Sequence, residues 1–219
     1  MLHIDFVTDF VCPYCVVARE ALDQAAEQLQ LPAGYVEIEY HPLELTPPEK
    51  EQVDTWNDPV RREHYRVLDE PCAQLGLGDM HFPPEVVPRP RTRLAWEAWL
   101  MAEEVGRGGA WSACMYRAYF VYQEDIGDPE LLLRYARVLG LDPAALREAW
   151  DTHRYTDELL RREADAKARF EPHGVPTVWC NGRRLTLETY TRDEMMEQLQ
   201  AAPKEPEGTG FSCGIDGCG

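Results

Sequence analysis

Two cysteines separated by two residues, Cys12-Pro13-Tyr14-Cys15, stand where an apolar stretch gives way to a helical one. A pair at that spacing can close as a disulfide or open as a dithiol without unfolding the helix that carries it, and the reactive form is the thiolate. The first turn of a helix offers unpaired N–H groups and about half a positive charge. Cysteines so placed ionise at roughly pH 3.5–7.5 rather than ~8.5. On this reading Cys12 is the exposed attacker, and Cys15, one turn inward, resolves the mixed disulfide. A second pair, Cys213 and Cys218, sits near the end of the chain. Gly214, Asp216 and Gly217 favour the tight turn it would need to close, since disulfide-linked Cα atoms lie about 4.4–6.8 Å apart. That makes Cys213 and Cys218 a candidate accessory redox pair exchanging with Cys12 and Cys15. Two plainer alternatives stay open. The four thiolates could bind one zinc, because four-cysteine zinc sites use spacings this short, or the tail cysteines could do nothing.

The remaining cysteines, Cys72, Cys114 and Cys180, read as small buried hydrophobes. An odd total of seven at wide spacing is a poor disulfide framework. The six histidines show no paired spacing, so no histidine metal site is expected. His41, next to Pro42 at the end of a strand, would sit near the rim of the cysteine site and could tune Cys12. Acidic residues outnumber basic ones 39 to 22, a net charge of −17, which excludes a phosphate-tracking nucleic-acid surface and disfavours anionic membranes. No apolar run reaches the ~20 residues of a spanning helix. The opening MLHIDFVTDF has neither a basic segment nor a long apolar one, so no signal peptide is read and a cytoplasmic location is expected. Residues 1–50 carry 2 basic and 9 acidic side chains, which works against a thiolate; Asp9 is the acid closest to Cys12.

The elements that must position these groups are legible. Residues 2–10 read as a strand, 13–29 as a helix with Pro13 in its first turn, and 35–40 as an alternating strand, together a βαβ unit. Asp-Pro steps at 58–59, 128–129 and 142–143 look like helix starts, giving helices near 59–69, 129–139 (closed by Gly140) and 143–150. Helices near 92–105 and 110–123 carry Trp96, Trp99, Trp111, Tyr119 and Tyr122 on faces expected to be core. Residues 79–90, with four prolines, form a loop. A helix over about 153–171 leads to His173-Gly-Val-Pro-Thr-Val-Trp-Cys180, an Asn181-Gly182 hairpin turn, a strand over 184–186 and a last helix near 191–201.

The Cys-x-x-Cys after the first strand of a βαβ unit, with Gly174-Val175-Pro176-Thr177 before a distant hairpin, resembles the thioredoxin superfamily. The largely helical stretch of about 160 residues between Cys15 and Pro176 is similar to its DsbA-like branch. Within that branch, DFVCPYC, the stretch from Leu43 to Pro48 and GVPTVWCNGR are most similar to FrnE-like oxidoreductases. The resemblance implies an α/β thioredoxin fold with a large all-helical insertion. The expected domains are a discontinuous thioredoxin unit of residues 1–46 and 151–201, an insertion of 47–150 and a tail of 202–219. It also implies a cis peptide between Val175 and Pro176, with the Val175 backbone beside Cys12 to pair with an extended substrate. The implied activity is thiol–disulfide exchange or isomerisation on protein thiols and disulfides, with no cofactor. One position departs from the pattern. Six residues before the first cysteine, where such enzymes often bury an acid, stands Phe6, and neither Asp5 nor Asp9 inherits that role. A glutathione-dependent enzyme is the alternative. Cys-Pro-Tyr-Cys is also a glutaredoxin-like motif, and kappa-class transferases and hydroxychromene-carboxylate isomerases share an inserted architecture. Those latter classes typically lack the second cysteine present here.

Overall fold

The computed structural model describes residues 1–203. Strands β1 (Leu2–Thr8) and β2 (Val36–Pro42) run parallel with Phe6 opposite Tyr40, and α1 (Pro13–Gln28) crosses between them. Strand β3 (Thr177–Cys180) pairs antiparallel with β1, placing Val178 opposite Phe6, and returns as β4 (Arg183–Arg184). The sheet order is β2-β1-β3-β4. Asn181 and Gly182 take φ of 48° and 77°, the pair of positive values that a two-residue hairpin turn demands. Strand β4 is shorter than the sequence suggests, but the Leu185 N–H still reaches the Val178 carbonyl at 2.8 Å.

Between β2 and β3 the ordered elements are helical: α2 (Pro59–Tyr65), a 3₁₀ turn (Arg66–Leu68), α3 (Asp69–Leu75), α4 (Arg93–Glu103), α5 (Gly108–Phe120), α6 (Pro129–Val138), α7 (Pro143–Asp151) and α8 (Thr156–Phe170). A last helix, α9 (Arg192–Gln200), packs on α1. Asp58, Asp128 and Asp142 cap α2, α6 and α7, each carboxylate accepting the N–H two residues on, with a proline in each first turn. Three expectations shift. Helix continues through α3 because Pro71 falls in that helix's first turn, where its missing N–H costs no bond. Helix α5 ends at Phe120, so Tyr122 lies beyond it and is 57% exposed rather than core. Helix α8 begins later than 153, because His153 takes a positive φ and ends the preceding turn.

One continuous core joins sheet and insertion. Ile4, Phe6 and Val178 meet Val17, Ala21 and Leu22 of α1, and Trp96, Trp99, Trp111 and Tyr119 extend the same cluster. On the other face of the sheet Val7 packs against Ala166 and Phe170 of α8. The joint between strand and insertion is aromatic: Phe10, fully buried, stacks on Trp96 with ring centroids 3.9 Å apart. Removing that ring should cost about 3–5 kcal/mol. Urea denaturation of Phe10→Ala is the measurement.

Glu44, just past β2, is buried at the same joint with Arg93 of α4 on one oxygen at 2.5 Å. Burial outweighs Arg93 and pushes its carboxyl from 4.5 up to about 7. The folded chain therefore holds a proton that the unfolded chain releases, and stability is lost as pH rises from 4.5 through 7. In Glu44→Gln this loss should be absent. The variant's urea midpoint, measured against that of the parent chain, should rise steadily between about pH 5 and pH 8.

Candidate functional site

Strand β1 ends at Thr8, and the next residues turn back on themselves: the Cys12 N–H bonds the Asp9 carbonyl at 3.1 Å, and the Cys15 N–H bonds the Cys12 carbonyl at 3.1 Å. Cys12 becomes the N-cap of α1 with extended backbone, and Pro13 fills the first helical position. Its thiol donates to the Val175 carbonyl at 3.4 Å, across 163 residues of sequence, and the Val175–Pro176 peptide is cis. The structure thus brings together Cys12, Cys15, Val175 and Pro176. Cys213 and Cys218 lie outside the described residues.

The two sulfurs are unbonded and unequal. Cys15 is fully buried, and burial first, then the neighbouring Cys12, raises its thiol well above the ordinary range. Cys12 retains only 3% of its surface, so it is less open than an exposed attacker. Around it stand the phenols of Tyr14, Tyr65 and Tyr190. Burial lifts Tyr14 and Tyr190 to about 12, while Arg61 and Arg89 stand beside Tyr65. Tyr14 touches His64, Tyr65 and Tyr190 in turn, with centroids 5.8, 6.2 and 5.2 Å away. Tyr65 and Tyr190 come from distant segments, and no local spacing announces them.

Beneath the turn lies Asp9. It is fully buried, and its carboxylate accepts the Leu45 N–H at 2.8 Å and the Trp96 indole N–H at 3.2 Å. Burial raises its carboxyl, while the bonds from Leu45, Thr92 and Trp96 and the charge of Arg89 pull it back. The chain does bury an acid beside its cysteines, three residues before Cys12 and not six. An aspartate flanked on both sides by apolar residues, as in Phe6-Val7-Thr8-Asp9-Phe10-Val11, was the available signal. Behind Cys15, the Thr8 hydroxyl pairs with the Tyr116 hydroxyl of α5 at 2.7 Å.

His41 does not belong to this cluster. It pairs with Asp5 at 3.0 Å and packs against Phe170, on the face of the sheet covered by α8. Among the described residues, the only three metal-capable side chains within reach of one another are Asp5, Glu39 and His41, and neither Cys12 nor Cys15 is among them. The other thiols are held protonated by burial, Cys72 up to about 12, Cys180 up to about 11 and Cys114 above its ordinary value.

Residues 3–201 match the DSBA-like thioredoxin domain. The chain belongs to that family. The chain is also similar to an uncharacterized Bacillus subtilis protein, YwbO, at 32% identity over 177 residues covering 80% of this chain and 85% of the relative. A probable DsbA oxidoreductase of Streptomyces coelicolor shares the fold at TM-score 0.65 and 20% identity, covering 100% of this chain and 99% of its own. The cytosolic disulfide reductase DsbM of Pseudomonas aeruginosa, solved with glutathione, superposes at TM-score 0.61 and 20% identity, over 90% of this chain and 97% of its own. Among the described residues no helix of this DSBA-like chain is long and apolar enough to cross a membrane.

The site generates a labelling pattern. Iodoacetamide at neutral pH, followed by peptide mapping of the reduced chain, should modify Cys12 ahead of Cys15, Cys72 and Cys180. Labelling of Cys15 as fast as Cys12 would contradict the inequality of the two sulfurs.

Proposed function

We propose that this DSBA-like chain is a thiol–disulfide oxidoreductase or isomerase acting on protein substrates through Cys12 and Cys15. One observation carries the reading: Cys12 sits at the open start of α1 with its sulfur against the Val175 carbonyl, while Cys15 is sealed behind it. The Cys12 thiolate attacks a substrate disulfide, forming a mixed disulfide and releasing one substrate thiol. Cys15 then displaces the second, closing Cys12–Cys15; oxidation of a substrate dithiol runs the same steps backwards. Val175, beside cis-Pro176, offers backbone to an extended substrate at the sulfur. The finer likeness to FrnE-like enzymes, the cytoplasmic location and an exchange partnership of Cys213 and Cys218 with Cys12 belong to this same proposal.

Glutathione as the small-thiol partner is the competing reading, favoured by the fold shared with the Pseudomonas reductase solved with glutathione. The ring faces of Tyr14, Tyr65 and Tyr190 around Cys12 offer the apolar contact that side chains of a peptide substrate can use. The deciding experiment compares turnover of insulin disulfides with turnover of a peptide–glutathione mixed disulfide. Cys12→Ser should lower insulin-disulfide turnover by at least about 100-fold, because the thiolate is the nucleophile. Cys15→Ser should accumulate a Cys12–substrate adduct visible by mass spectrometry. Full activity in Cys12→Ser would end the proposal, and faster turnover of the glutathione substrate would replace its protein half.

A further inference from the structure

Resolution of the mixed disulfide poses a problem that the two cysteines do not solve alone. Cys15 must lose its thiol proton to attack, yet it has no exposed surface. The Asp9 carboxylate oxygens are engaged by the Leu45 N–H and the Trp96 indole, and Asp9 meets Cys15 through its backbone amide instead. Two side chains face the Cys15 sulfur, the Cys12 thiol and the Thr8 hydroxyl, and only the hydroxyl leads away from the exchanging pair. Thr8 is itself fully buried, and its oxygen lies 2.7 Å from the Tyr116 hydroxyl, in a pair where either can donate. Tyr116 in turn lines a cavity of about 180 Å³ shared with Arg19, Asp23, Tyr40 and Arg117. The side chains of Asp23 and Arg117 on that wall are about half exposed, so the cavity meets solvent between α1 and α5.

Resting on the exchange mechanism proposed above, we infer that the Thr8 and Tyr116 hydroxyls form a proton relay that connects the resolving sulfur of Cys15 to this cavity. The Cys15 proton passes to the Thr8 oxygen as the Thr8 proton passes to Tyr116 and the Tyr116 proton passes to water in the cavity. The Cys15 sulfur attacks the Cys12 sulfur, and a Cys12–Cys15 bond forms as the bond from Cys12 to the substrate sulfur breaks. The substrate leaves as a thiolate and takes a proton from solvent. The enzyme dithiol has given two electrons to the substrate disulfide, and the reverse direction returns the proton along the same pair. Both hydroxyls stay neutral between hops: a threonine does not ionise, and burial holds the Tyr116 phenol protonated. The other titratable groups around the relay are Cys12 on the same turn, Tyr40 on β2, and Arg19, Glu20, Asp23 and Arg117 on the cavity wall. The arrangement separates the two halves of the reaction, with substrate sulfur on the Val175 side and the proton on the α5 side.

The test follows single turnovers of the full chain with a disulfide-bonded peptide, quenched in acid and resolved by mass spectrometry into free, mixed-disulfide and oxidised enzyme. In Tyr116→Phe and Thr8→Val, formation of the Cys12–peptide adduct should keep its rate, and its resolution should slow by about 10-fold to 100-fold, so that the adduct accumulates. The solvent deuterium isotope effect on resolution should be present in the parent chain and change in both variants. Thr8→Ser, which keeps the hydroxyl, should restore resolution where Thr8→Val does not; that pair decides the matter even if Tyr116→Phe fails to fold. Parent-like resolution and isotope effect in Thr8→Val would overturn the relay while leaving thiol exchange standing. A parent chain that forms no adduct at Cys12 at all would instead remove the exchange mechanism and the relay with it.

Discussion

A carboxylate without water must be fully hydrogen bonded, and that requirement at Asp9 organises much of this molecule. Its oxygens take the Leu45 N–H after β2 and the Trp96 indole of α4, so a single side chain ties the end of β1 to the second strand's exit and to the insertion. Its own carbonyl then receives the Cys12 N–H and starts the turn that delivers both sulfurs. Burying such a group is costly unless every partner is in place. The same feature makes the loop from Thr8 to Cys12 one conformation instead of several: were the insertion displaced, Asp9 would lose the Trp96 bond and Phe10 its stacking partner together. The acid contributes specificity of position more than net stability.

The sequence announces what is local and misses what is long-range. Cys12-Pro-Tyr-Cys15 at a strand–helix junction, the Asp-Pro caps at 58, 128 and 142, and Asn181-Gly182 are all short-range chemistry, and each appears in the structure where its residue types require it. Gly-Val-Pro-Thr places Val175 beside Cys12 only through a resemblance, because no local rule brings together residues 163 positions apart. The helix read near 59–69 gives way at Asp69 to a second one, with Pro71 in its first turn, and no local spacing separates the two. Tyr122 has the periodicity of a core residue but lies past the last turn that could carry it inward. The partnership of Thr8 with Tyr116, 108 residues away, has no signature in either segment. His41 is placed by strand alternation: it lies opposite Val7 in the register, and Val7 faces α8, so His41 does as well.

The difference between the sulfurs is a matter of desolvation more than of distance. Both belong to one turn of α1, and both feel the same helix start, yet burial acts most fully on Cys15, which has lost the last of its surface. A thiol with no water around it is a poor acid and a slow nucleophile until another sulfur is brought against it. The Cys12 sulfur, by contrast, touches the Val175 carbonyl and keeps 3% of the residue's surface open. In the exchange proposed above, this difference in burial assigns the first attack to Cys12 and the resolving step to Cys15.

The insertion is part of this geometry and not an appendage to it. It supplies Tyr65 to the rim above Cys12, Trp96 to the acid below the turn and Tyr116 to the space behind Cys15, so helices on three sides of the turn come from it. Those residues share one continuous core with β1 and α1. A hinge between the insertion and the sheet would have to expose Trp96, Trp99 and Phe10, all essentially without surface, at about 2 kcal/mol or more for each large side chain. Motion of that kind is too costly to accompany each turnover. The 3% of Cys12 that remains open is bordered by the partly buried rings of Tyr14 and Tyr190, which pack against the edge of the core. In the exchange proposed above, a substrate segment would have to displace those rings, replacing aromatic contact with its own, to arrive against the Val175 carbonyl.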